Sequence, residues 1–210
     1  MKRIKEINLV ITHRCNLNCI YCYEVNKDKG EMSIELAKSI LTRYLSLNSC
    51  DELAINLFGG EPLLRFSFIR ELCEWTWGQK WVQKYIFYAD TNGVNLSDEI
   101  KSWAIDNKER FMMLLSLDGT PGTHNFNRSN SFDLIDLDFF INHWPNQGVK
   151  MTISDHRLEH LAEDIIFLHS KGLKIKGANI AEGFVIKDFE KKYEIIKQQF
   201  QILIDWYISH

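Results

Sequence analysis

Short apolar runs rich in β-branched and aromatic residues alternate along this chain with longer stretches whose apolar positions recur every three or four residues. The first pattern predicts strands at Ile7–Thr12, Leu53–Phe58, Tyr85–Ala89, Met112–Leu117, Val149–Ser154 and Leu173–Asn179. A helical pattern follows each of them. The spacing suits repeated βα units, which need about 30 residues or more apiece. Such alternation argues for a parallel sheet covered by helices.

Several helix boundaries are written in the residues. Ser33 is placed to cap a helix with apolar positions Ala37, Ile40, Leu41, Tyr44 and Leu45. Ser97 is placed to cap another, with Asp98 and Glu99 in the first turn, where the helix dipole favours acids. Leu158, Leu161, Ala162, Ile165 and Leu168 form a third stripe, with Gly172 suited to its end. Phe189, Tyr193, Ile196, Phe200, Leu203 and Tyr207 form the last. All are expected to be core faces packed on the sheet. No repeat or Pro-rich linker interrupts the pattern, so residues 1–210 are expected to form one domain. Six βα units make an open curved sheet or part of a barrel, and spacing alone does not choose between them.

With 45% hydrophobic and 25% charged residues, the chain has the makeup of a folded globular protein. A net charge of −3 lacks the basic excess of a duplex binder, so nucleic acid is not an expected partner. No apolar run approaches the roughly 20 residues of a membrane-spanning helix. No signal-peptide block opens the chain, and the expectation is a cytoplasmic protein without a membrane partner.

Of five cysteines, three fall within eight residues, at Cys15, Cys19 and Cys22. A disulfide framework would spread its cysteines through the chain. The segment Thr12-His-Arg-Cys-Asn-Leu-Asn-Cys-Ile-Tyr-Cys-Tyr23 directly follows the first strand. It thus lies at the C-terminal end of a parallel strand, where α/β folds place their chemistry. Three thiolates on such a loop can hold three irons of a four-iron cluster and leave the fourth open. Structural zinc is an alternative, with a fourth ligand from His13, Cys50 or elsewhere. Three free core cysteines are another, though Arg14, Asn16 and Asn18 make the loop polar.

Later strands end in chemistry-bearing turns as well. Phe58-Gly-Gly-Glu-Pro62 offers two glycines through which a backbone edge can approach a ligand closely. Asp90-Thr-Asn-Gly93 and Ser116-Leu-Asp-Gly119 follow the third and fourth strands, the latter succeeded by His124-Asn-Phe-Asn-Arg128. Ser116 and Asp118, two apart, share one strand face. A tight turn is the alternative reading of each.

Taken together, Cys-x3-Cys-x2-Cys with Tyr21, GGEP, T-N-G and S-L-D-G resemble the radical S-adenosylmethionine (radical SAM) superfamily. The likeness is to its peptide- and protein-modifying branch, which includes anaerobic sulfatase maturases and SPASM-type peptide maturases. It covers Leu9 to about Leu203 and implies an α/β fold, a partial (β/α)6 TIM-type barrel of parallel strands forming a radical SAM core. No cysteine follows Cys73, so the C-terminal auxiliary-cluster domain of many such relatives is not expected.

The resemblance implies an enzyme of iron–sulfur oxidoreductase or maturase type. Cys15, Cys19 and Cys22 would hold a [4Fe-4S] cluster. S-adenosyl-L-methionine (SAM) would be cleaved reductively to a 5′-deoxyadenosyl radical that abstracts hydrogen from a substrate. Cofactor contacts would come from Gly59, Gly60, Glu61, Thr91, Asn92, Ser116, Arg128 and Ile153, and catalytic carboxylates from Asp118 and Glu182. Asn125 stands where relatives have Asp. Expected partners are a peptide or protein substrate and an external one-electron donor such as flavodoxin or ferredoxin. A small-molecule radical SAM synthase, or a non-catalytic iron–sulfur or zinc module, remains the alternative.

Overall fold

The computed structural model describes residues 4–24, 27, 30–144, 148–181 and 189–210. Strands β1 (Glu6–Thr12), β2 (Leu53–Gly59), β3 (Tyr85–Thr91), β4 (Phe111–Ser116), β5 (Val149–Ile153) and β6 (Ile175–Ile180) follow one another in sequence order in a six-stranded sheet. Pairing is parallel between β1 and β2, β2 and β3, β4 and β5, and β5 and β6. All six expected strands are present, with ends shifted by at most two residues. The helices are α1 (Ile34–Leu45), α2 (Phe66–Trp77), α3 (Asp98–Asp106), α4 (Pro121–Asn127), α5 (Leu137–His143), α6 (Leu161–Ser170) and α7 (Phe189–Ser209). Among the described residues, no helix is long and apolar enough to cross a membrane.

Contacts divide the chain into two compact units. The first comprises Met1–Asn16, Glu24–Thr91 and Leu96–Leu114. Its core includes alternate positions of β1 to β3: Leu9 and Ile11, Ile55 and Leu57, Phe87 and Ala89 are all nearly inaccessible. Ala37, Leu41 and Leu45 of α1 and Ile69 and Leu72 of α2 are buried in the same unit. Ser33 caps α1 by accepting from the Leu36 N–H, and Ser97 caps α3 by accepting from Ile100 N–H, each supplying an acceptor that the first helical turn lacks.

The second unit comprises Leu17–Tyr23, Asn92–Asn95 and Leu115–His210. Its core includes Leu115, Leu117, Phe139, Phe140, Val149, Met151, Leu161 and Leu168. The stripe from Leu158 to Leu168 divides into a 3-10 turn (Asp155–His160) and α6.

The stripe expected on α7 requires correction. Among the described side chains of that stripe, Tyr193, Phe200 and Tyr207 are about half exposed, Ile196 is half-buried and Leu203 is buried; the Phe189 side chain lies outside those described. The docked face is turned toward Lys192, Ile196, Gln199, Leu203 and Trp206, spaced by four and three residues. Gln199 Oε1 accepts from the Ala162 N–H at 2.9 Å, and Lys192 pairs with Asp155 at 3.0 Å. Polar partners thus settle which side of a helix with two apolar stripes faces inward.

Candidate functional site

In the first unit, β1 and β2 lose register between Val10 and Thr12, immediately before the cysteine loop. Gly59 then pairs with Thr12, and the Gly60 N–H donates to the Thr12 carbonyl at 3.0 Å. The Glu61 N–H donates to the Arg14 carbonyl at 2.8 Å. The backbones lie so close that a Cβ on Gly59 would sit 2.0 Å from the Thr12 oxygen, and one on Gly60 2.3 Å from the Arg14 oxygen. The close approach these glycines permit is therefore to the chain itself, at the residue before Cys15.

The Glu61 side chain is buried and accepts from the Leu63 N–H (3.0 Å) and the Thr91 hydroxyl (2.9 Å). It thereby caps the 3-10 turn at Pro62–Arg65 and joins the ends of β2 and β3. His13 pairs with Glu24, so residues flanking the three cysteines meet. Arg65 donates to the Ile11 and Met32 carbonyls, both at 2.8 Å, and pairs with Glu31 at 3.2 Å.

In the second unit, Asp118 lies fully enclosed. Its Oδ2 accepts from the Tyr21 hydroxyl at 2.5 Å and from Asn127 Nδ2 at 3.1 Å. Its Oδ1 accepts from Arg128 Nη2 at 3.1 Å and the Thr152 N–H at 3.0 Å, while Arg128 Nε lies 3.0 Å from Oδ2. A carboxylate has about four lone-pair sites, and all are taken. Burial alone would disfavour the charge. The Arg128 guanidinium outweighs it with the Tyr21 and Thr152 hydrogen bonds, holding the Asp118 carboxyl below the usual carboxylate range. Burial raises the Tyr21 phenol well above its ordinary value, with Asp118 adding to the shift against Arg128, so it stays a donor.

His124 is equally enclosed. Its Nδ1 faces the Asp118 N–H at 3.4 Å and its Nε2 the Ser131 hydroxyl at 3.1 Å. Burial, then the Arg128 charge, pushes its pKa down to about 4, so the ring is neutral.

The expected site residues therefore fall into distinct settings. Gly59, Gly60, Glu61 and Thr91 come together in the first unit. Asn92 accepts from the Val94 N–H at 2.9 Å, shaping the turn after β3. Ser116 and Ile153 are half-buried at the ends of β4 and β5. Asp118, expected to contact a ligand, is corrected to an interior position: it has no exposed surface and no spare lone pair. Arg128, expected to clamp a ligand carboxylate, instead directs its fork at Asp118. Glu182 lies outside the described residues. The sequence treats Tyr21 only as an aromatic and passes over Asn127; the phenol hydroxyl, which Phe would lack, is the signal it contained.

Cys15, Cys19 and Cys22 are half-buried and joined in no disulfide. Among the described residues, no three His, Cys, Asp or Glu side chains are gathered as a ready metal site. The donor set nevertheless fits a cluster: three unoxidised thiols on one short polar loop. A family model described as a 4Fe-4S single cluster domain matches residues 6–134. The chain belongs to this 4Fe-4S family.

The radical SAM resemblance is borne out alongside it. The cysteine-type anaerobic sulfatase-maturating enzyme of Clostridium novyi is 30% identical over 157 residues, covering 64% of this chain and 39% of that enzyme. The radical SAM cyclopropyl synthase TigE of Paramaledivibacter caminithermalis is 24% identical over 147 residues, covering 62% of this chain and 30% of its own. The chain thus matches well under half the length of these relatives. A solved structure of anSMEcpe with bound AdoMet superposes with a TM-score of 0.80 at 19% identity, over 99% of this chain and 60% of that one. The same enzyme with AdoMet and a peptide gives 0.78 at 20% identity, over 97% and 60%. The expected fold class, an α/β partial (β/α)6 barrel of parallel strands, is borne out by this likeness.

Proposed function

We propose that this 4Fe-4S domain is the core of a radical SAM enzyme acting on a peptide or protein side chain. One observation carries the reading: the residue before Cys15, the Gly60–Glu61 turn and Thr91 are in direct contact at the ends of three successive parallel strands. When bound, the cluster supplies an electron and an open iron, and SAM supplies the radical that takes a hydrogen atom from the substrate.

The chain's own part is placement. Cys15, Cys19 and Cys22 ligate the cluster. Glu61, its carboxylate fixed by Leu63 and Thr91, orients the amino group of SAM together with the Gly60 backbone. Ser116, Asn92 and Ile153 contribute polar and backbone contacts at later strand ends. A peptide substrate is supported by the sulfatase-maturating relatives and by the peptide-bound structural neighbour. An external one-electron donor completes the reaction.

Anaerobic reconstitution tests the reading. About four irons and four sulfides per chain are expected. Reduced protein given SAM should form 5′-deoxyadenosine, faster with a cysteine- or serine-containing peptide. Zinc as the tightly held metal, or no 5′-deoxyadenosine from iron-loaded protein, would overturn it. Turnover of a nucleotide in place of a peptide would transfer the reading to the small-molecule class.

A further inference from the structure

We propose that Asp118 and Arg128 form a positioning clamp for the segment carrying Cys19 and Cys22, acting through the Tyr21 hydroxyl. Tyr21 lies between these two cysteines, and the Cys22 N–H closes a turn onto the Cys19 carbonyl at 3.1 Å. The turn is held from consecutive positions at the end of α4. The Asn18 N–H donates to Ser129 Oγ at 3.0 Å, and the Ile20 N–H to the Asn127 carbonyl at 2.9 Å. Between them in sequence, Arg128 places its guanidinium 5.4 Å from the Tyr21 ring centre while engaging Asp118.

The clamp is held from several sides, since Asp118 accepts hydrogen bonds from four residues, Tyr21, Asn127, Arg128 and Thr152. Asn127 donates to Asp118 while its Oδ1 accepts from the Ser154 hydroxyl at 2.9 Å. Thr152 binds Asp118 through its backbone, which side-chain motion cannot release. A buried ion pair is costly unless its remaining hydrogen-bonding capacity is met, and here that capacity is directed at the cysteine segment. An O–H donor aimed at a carboxylate is among the stronger neutral-to-charged hydrogen bonds, and phenylalanine could not supply it. Asp118 and Arg128 are thus positioning residues. Their effect reaches the thiols by fixing the backbone between them, which lowers the ordering entropy left to metal binding.

The test uses the reduced, cluster-free chain and is independent of whether the cluster or SAM chemistry is as proposed. Each thiol is alkylated under native conditions with iodoacetamide and followed by peptide mass spectrometry. In Tyr21→Phe, which changes no charge, Cys19 and Cys22 should react about tenfold faster than in the parent, as loss of a hydrogen bond to a charged group permits. Cys15 and Cys50 should not change, because Arg14 before Cys15 is held by the Glu61 N–H. Arg128→Lys, which loses the fork, should act in the same direction. Unchanged Cys19 and Cys22 rates in folded Tyr21→Phe would overturn the clamp, as would an equal rise at all four thiols. In reconstituted protein, Tyr21→Phe should also alter the electron paramagnetic resonance spectrum of the reduced cluster at full iron content. An identical spectrum would count against a positioning role.

Discussion

The Thr91 hydroxyl donates to Glu61 Oε1 at 2.9 Å, across two buried strand ends. The bond makes the orientation of a glutamate on one motif depend on a threonine in the next. Thr91→Val keeps the shape and removes the donor, and should destabilise the chain by about 1–3 kcal/mol in urea denaturation. SAM affinity should fall further than in Thr91→Ser, which keeps the hydroxyl. Equal affinities in the two variants would mean that Glu61 is oriented without Thr91.

Gly60→Ala should be far more damaging than its size suggests. The new Cβ would lie 2.3 Å from a backbone oxygen that cannot swing aside, at the residue before Cys15. Both melting temperature and bound iron should drop. Gly177→Ala is the control, since its Cβ would meet nothing within 4 Å.

Leu117 is fully buried beside Asp118 in the chain. Leu117→Ala should lower stability by roughly 2–5 kcal/mol as a cavity-forming truncation. The protein that stays folded should retain its iron.

Stability should fall on mild acidification. The His124 pKa, pushed by burial and Arg128 down to about 4, is below its value of about 6.5 in an unfolded chain. The unfolded state therefore binds the proton first, and stability present above about pH 6.5 is lost as pH falls toward 4. The loss is on the order of 3 kcal/mol over that window. Asp118, depressed below the ordinary carboxylate range, adds its own loss only at lower pH, below the unfolded carboxylate value of about 4. Urea midpoints at pH 7 and pH 4.5 measure the first effect, and His124→Gln should flatten it.

The positions of the six strands along the chain, the serine caps of α1 and α3, and the place of the cysteine loop after β1 were legible in the sequence. Each depends on periodicity or on neighbours within a few residues. The family was legible for the same reason, since its cysteines and strand-end turns are short contiguous motifs. Two matters required the tertiary structure. On α7 the apolar pattern alone favoured the stripe through Tyr193, Phe200 and Tyr207; Gln199 and Lys192, through partners 37 residues away in each case, turned the other side inward. Asp118 read as a strand-end carboxylate facing a ligand. Its lone pairs are filled by residues 21, 127, 128 and 152, and no local pattern reports such a convergence. A charge is placed inside or at a surface by the sum of its partners, and only the folded chain assembles that sum.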